Sequence, residues 1–181
     1  MQGHPSTDKN LEGIRMASGS LGQGLSVALG TAQTKKLNKD KSIVYTLHGD
    51  GELQEGQIWE AAMYAAANKV DNLIATIDFN GRQIDGDVEN VLSLGSLSEK
   101  WQAFGWEVLE MDGHNFENIH STMTEAKNKL GRGKPVVIIM ATEMGMGVDF
   151  MMGTHKWHGV APNDEQLSSA LSQLQETLGD Y

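Results

Sequence analysis

SIVYTLHGDGELQEGQIWEAAMYAAANKVDNLIATIDFNG, residues 42–81, decides the fold. Residues 42–48 are a short run of β-branched and apolar side chains that breaks at the glycines of HGDGE. Residues 55–69 place Ala, Glu and Met at helical spacing. Residues 73–79, LIATIDF, form the next β-rich run and stop at Asn80 and Gly81. Strand, helix and strand in that order predict a βαβ unit, whose two strands are parallel. In such sheets ligands bind beyond the C-terminal ends of the strands. The loops after His48 and after Phe79 are therefore the ones to inspect.

Reading outward, the polar, glycine-rich stretch up to Gly19 is expected to be loop. SLGQGLSVALGTAQTKK (residues 20–36) repeats Leu21, Leu25, Ala28, Leu29 and Ala32 at a helical period, with Ser20 as the expected N-cap. Lys35 and Lys36 suit the negative end of that helix. Downstream, residues 106–111 and 135–142 predict two more strands, and residues 115–130 a helix between them. The apolar run from Val136 to Met140 fits a strand covered on both faces. Asn163 with Gln166 is a capping-box pair opening a last helix through Leu178. The expected fold class is α/β, a mostly parallel sheet flanked by helices, in a single domain over residues 1–181.

The 24 acidic and 14 basic residues give a formal charge of −10, which argues against nucleic acid or an anionic membrane as partner. An anionic ligand must then be held locally, by backbone amides, a metal ion or a few placed cations. With no cysteine, disulfide and thiolate chemistry are excluded. No apolar run is long enough to span a membrane and the first residues lack a signal peptide's pattern, so a cytoplasmic address is expected.

Gly49-Asp50-Gly51-Glu52 sets one carboxylate between two glycines, which lets the backbone turn sharply and approach a ligand closely. Asn80 follows Asp50 by 30 residues, one βαβ repeat. Adjacent strand ends would bring the two side chains face to face. An aspartate oxygen, an amide oxygen and a backbone carbonyl suit Mg²⁺ or Ca²⁺ and leave room for phosphate oxygens. Taken alone, a GDG turn serves equally as a conformational device. His155 and His158 are poorly placed for zinc, with no third ligand nearby. The methionines of residues 144–152 read as packing or lid residues, and GRGK at residues 131–134 as a turn lacking the Walker spacing.

GDGELQEGQIWEAAMYAAANKVDNLIATIDFNGRQIDG resembles the thiamine-diphosphate motif, which opens on GDG and closes on an asparagine about thirty residues later. QEGQIWEA, NGRQIDG, GHPSTDKN, GSLGQGLSVALG and GTHKWHGVAPN resemble transketolase segments, in the family's order, from residue 3 to about residue 163. The resemblance implies a transketolase-like thiamine-diphosphate-binding fold. It places Asp50 and Asn80 on Mg²⁺ (Ca²⁺ being the other candidate), with the Arg82 carbonyl as third protein ligand. Gly49, Gly51 and Glu52 would lie beside the diphosphate, and Gly19 and Leu21 near the aminopyrimidine ring. His4 would contact the donor sugar and His158 the diphosphate and the reaction centre. Glu55 and Glu60 would sit at an interface between subunits, coupling paired sites; the plainer alternative is a helix N-terminal charge and a solvated helix residue.

The implied activity is two-carbon ketol transfer between sugar phosphates. The family activates its cofactor with a glutamate on a pyrimidine-binding domain, which implies a separate partner chain, as in split transketolases. About a hundred further residues, with a glycine-histidine motif, are expected upstream of the GHP segment. Alternatives are a deoxyxylulose-phosphate synthase or other thiamine enzyme, a transketolase for an unusual sugar, and a non-catalytic fragment. Homo-oligomers, dimers first, are expected from the family's large apolar interfaces.

Overall fold

The computed structural model describes residues 19–175. Four strands form one parallel sheet: β1 (Val44–Gly49), β2 (Leu73–Phe79), β5 (Glu107–Asp112) and β6 (Val136–Ala141), in the order β1-β2-β6-β5. The first two are neighbours, with His48 opposite Ile77 and Gly49 opposite Asp78, so the two loops of interest emerge side by side. Between β2 and β5 lie a hairpin, β3 (Arg82–Gln83) and β4 (Gly86–Asp87), and two short helices, α3 (Val88–Leu92) and α4 (Leu97–Ala103). The sequence pattern predicts none of these four. The remaining helices are α1 (Gln23–Leu37), α2 (Gly56–Ala67), α5 (Phe116–Lys129) and α6 (Asp164–Gln173), and a 3₁₀ turn covers Gly51–Gln54.

Strand periodicity divides the core. Ala75 and Ile77 of β2, with Val137 and Ile139 of β6, face α1, α2 and α4 in the larger cluster. Ile74, Val136, Ile138 and Met111 face the other way, where Ala126 of α5 joins them. Val136 through Ile139 are all buried, as expected of a central parallel strand. Trp101 is fully buried between Trp59 (ring centroids 5.2 Å apart) and Trp106 (4.8 Å). The Trp106 indole N–H donates to the Ala62 carbonyl at 3.0 Å, which fixes α2 against the start of β5.

Two local expectations change. Ser20 does not cap α1: the cap is Gly22, in the left-handed region at φ 84°, with no side-chain cap of its own. A Cβ at Gly22 would stand 2.9 Å from Glu55 Cβ, so both the conformation and the space demand glycine. The last helix does carry the capping box of Asn163 and Gln166, but it ends at Gln173; Leu178 lies outside the described residues. Likewise the expected loop before Gly19, and with it His4, lies outside them.

Candidate cofactor site

Asp50 is 1% exposed, at the point where β1 turns into the 3₁₀ turn. Its Oδ1 accepts from Gly51 N–H at 2.7 Å and its Oδ2 from Gly81 N–H at 2.5 Å, so the carboxylate ties the two loops together. Burial raises its pKa above the ordinary carboxylate value. The amides of Gly81, Gly51 and Asn80 work against that rise, and the nearby charge of Asp78 adds to it. A buried carboxylate held only by amides, next to a second carboxylate, favours a cation.

Asn80 is brought to this place by its backbone. Its side-chain oxygen accepts from Arg82 N–H at 2.8 Å, forming an Asx turn, and its amide nitrogen points to Asp78 Oδ2 at 3.4 Å. The Gly81 amide, between Asn80 and Arg82, is the group that reaches Asp50 from this loop. Gly81 is left-handed at φ 72°, which turns the chain into β3. The Arg82 side chain pairs with Asp87 across the hairpin. Among the described residues no three His, Cys, Asp or Glu side chains gather as a metal cage. A cation at these strand ends would therefore be held by one carboxylate, an amide and backbone oxygens, a hard-oxygen set.

Two cavities lie over these strand ends and share Leu47 and Asp78. One, about 300 Å³, is lined by Ser20, Leu21, Gly24, His48, Gly49 and Glu52 besides those two. The other, about 460 Å³, is lined by Asn80, Met140, Thr142, Glu143, Met144 and His158. His158 is therefore brought to the site from the late loop, where its N–H donates to the His155 carbonyl at 2.9 Å. Leu21 is an exposed rim residue and Gly19 lies beside it at the surface.

Glu52 lines the smaller cavity together with Gly49. It is buried, and its carboxylate accepts from Gly22 N–H at 2.8 Å and from Gly49 N–H at 3.2 Å. Burial pushes its pKa up, but hydrogen bonding and charge from His48, with the two amides, hold it below the ordinary value. Glu55 and Glu60 are exposed. Glu60 lines a groove of about 350 Å³ between α1 and α2, with Leu29, Gly30, Gln33 and Tyr64.

Sequence reasoning misses two residues here, Asp78 and His48. Asp78 accepts from the Thr142 hydroxyl and stands between both cavities. A polar residue at the ligand end of an otherwise apolar strand is the signal that could have found it.

Residues 1–179 match the sequence profile of the family described as "Transketolase, thiamine diphosphate binding domain". The chain belongs to the transketolase family. Over 164 residues it is 42% identical to the 6-deoxy-6-sulfo-D-fructose transketolase subunit of Clostridium sp., covering 91% of this chain and 59% of that one. It is 43% identical over 180 residues to the apulose-4-phosphate transketolase subunit of Phocaeicola vulgatus, covering 98% and 62%. The chain thus spans about six-tenths of the length of these two relatives. The crystal structure of Campylobacter jejuni transketolase superposes with a TM-score of 0.81 at 34% identity, covering 89% of this chain and 26% of that one. Family members similar to this chain thus occur both as separate subunits and within longer chains. Among the described residues no helix is long and apolar enough to cross a membrane.

Proposed function

We propose that this chain binds the diphosphate of thiamine diphosphate through Mg²⁺ and serves as one half of a two-component ketol transferase. The observation that carries the reading is Asp50, buried at the junction of two strand ends with its pKa raised and, among the described residues, only amides to answer its charge. Asp50 Oδ, the Asn80 side-chain oxygen and the Arg82 carbonyl would hold the ion. Mg²⁺ suits this set better than Ca²⁺, because few protein oxygens plus phosphate and water complete an octahedron. When bound, the cofactor supplies the electron sink for breaking a ketose carbon–carbon bond.

The protein's share is position and proton handling. His158, on the cavity wall with Asn80, suits hydrogen bonding to the diphosphate or donor sugar, and His4 the same sugar. Gly49, Gly51 and Glu52 shape the diphosphate side, while Gly19 and Leu21 form the lip on the ring side. Activity requires a partner chain carrying the pyrimidine-binding domain, a reading supported by the relatives that are named as transketolase subunits. The α1–α2 groove, with Glu60 and the half-exposed Val27, Met63 and Tyr64 close by, fits a second copy with Glu55 and Glu60 at the interface. Those relatives also favour an unusual sugar, sulfonated or branched, over the common pentose and hexose phosphates.

Calorimetry with thiamine diphosphate, with Mg²⁺ and with excess chelator, tests the reading. Metal-dependent binding is expected, and ketol transfer once the pyrimidine-domain partner is supplied. Binding indifferent to chelator would remove the metal from the proposal; absence of binding even with the partner would leave the family's fold without its cofactor.

A further inference from the structure

His48 closes β1 against α1 and is 2% exposed. Its Cε1 lies 3.7 Å from where a Cβ on Gly24 would stand, so the ring fills the gap under the first turn of α1. Nε2 pairs with the Thr46 hydroxyl oxygen at 2.9 Å. Nδ1 is buried, and Glu52 Oε1 stands 3.2 Å from it. A buried ring nitrogen set against a buried carboxylate calls for a reason.

The reason lies in what Glu52 holds. Its carboxylate takes the Gly22 amide at the start of α1 and the Gly49 amide just before Asp50. One side chain thereby sets the distance between the lip carrying Ser20 and Leu21 and the turn that carries the diphosphate ligand. It also stands in for the side-chain cap that α1 lacks, with its negative charge at the positive helix end. His48 stands against the same oxygen that holds Gly22, in the wall of the 300 Å³ cavity.

We infer that His48 is a positioning residue: it keeps the Glu52 carboxylate on the Gly22 and Gly49 amides, and so presets the lip for the heteroaromatic end of the cofactor rather than for its diphosphate. The inference rests on the proposed cofactor reading. It separates two halves of one ligand, which gives it a readout apart from catalysis. Loss of general fold integrity would weaken both halves together, whereas a displaced lip weakens only the ring half.

The test is calorimetry on the full chain with two probes, thiamine diphosphate and inorganic diphosphate, each with Mg²⁺. His48→Leu removes both ring nitrogens. It is expected to weaken thiamine diphosphate by about tenfold or more, in the range for removing a residue that orients a ligand-binding group, and to leave inorganic diphosphate unchanged. His48→Asn restores an N–H near Nδ1 and is expected to recover most of the loss. Glu52→Gln removes the charge but not the shape; it is expected to weaken thiamine diphosphate more than inorganic diphosphate, since the Gly49 amide beside Asp50 is loosened as well. If His48→Leu does not melt cooperatively, His48→Asn and Glu52→Gln carry the comparison. Equal losses for both probes, or no loss for either, overturn the inference. A wild-type chain that binds neither probe even with the pyrimidine-domain partner supplied overturns the cofactor reading, and the inference with it.

Discussion

Asp50 and Asp71 sit at opposite ends of the β1–β2 pair and have opposite electrostatic fates. Asp71, just before β2, accepts from Lys36 Nζ at 2.6 Å and from Gly133 N–H at 2.9 Å, while its carbonyl takes Gly131 N–H at 3.0 Å. Burial pushes its pKa up, but the Lys36 hydrogen bond, the Gly133 amide and the Lys36 charge bring it below 3.8. Among the described residues Asp50 has amides only, and a neighbouring carboxylate, and its pKa goes the other way. At the N-terminal ends of the strands the protein supplies the counter-charge itself. At the C-terminal ends it leaves that charge to be supplied. The difference teaches where a ligand is expected: an acid completed by the fold is structural, and an acid left short of a cation is a place for one.

The sharpest way to break this contrast is Asp50→Ala. Metal-dependent thiamine diphosphate binding should fall by about 100-fold or more, equivalent to about 3 kcal/mol. The thermal midpoint of the apo chain should change little, since removal of a desolvated charge offsets the loss of the Gly51 and Gly81 hydrogen bonds. Retained binding with lost stability would put Asp50 in the same class as Asp71.

Asp71→Ala should do the reverse. It strands the Gly133 amide and frees Lys36, and is expected to cost about 1–2 kcal/mol in urea unfolding, with cofactor affinity unchanged. A selective loss of affinity would show the two ends of the sheet to be coupled.

The smallest effect is the acid limb of stability. Because the folded pKa of Asp71 is lowered, the native state binds fewer protons than the unfolded chain between the two values. Its contribution is fully present above the unfolded value of 3.8 and is lost as pH falls through the folded value. Asp71→Asn should flatten the limb by less than about 1 kcal/mol, read from urea midpoints between about pH 2 and pH 5. An unaltered limb would mean that Lys36 and Gly133 do not favour the charged form.

Much of the frame is legible in the chain. The helical spacing at residues 20–36 and 55–69 and the apolar run at residues 136–140 fall where α1, α2 and β6 stand. Those segments carry a period long enough to outweigh local accidents. The hairpin β3–β4 and helices α3 and α4 carry too few residues for a period, and the larger of these, α4, is held by Trp101 packing against Trp59 and Trp106. Ser20 fails as a cap because a stronger acceptor, Glu52, reaches Gly22 from 30 residues away.

The sequence by itself determined the α/β class, the adjacency of the two ligand loops and the pairing of Asp50 with the Asn80 segment, because periodicity and strand–helix alternation are local properties. Tertiary structure alone decided that the Gly81 amide donates to Asp50 and that Glu52 serves Gly22. It alone also brought His158, Asp78 and Met144 to one cavity wall and set the His48 ring against the Glu52 carboxylate. These outcomes depend on which backbone amides and buried charges meet across loops, and burial, which sets their energies, exists only once the chain has folded.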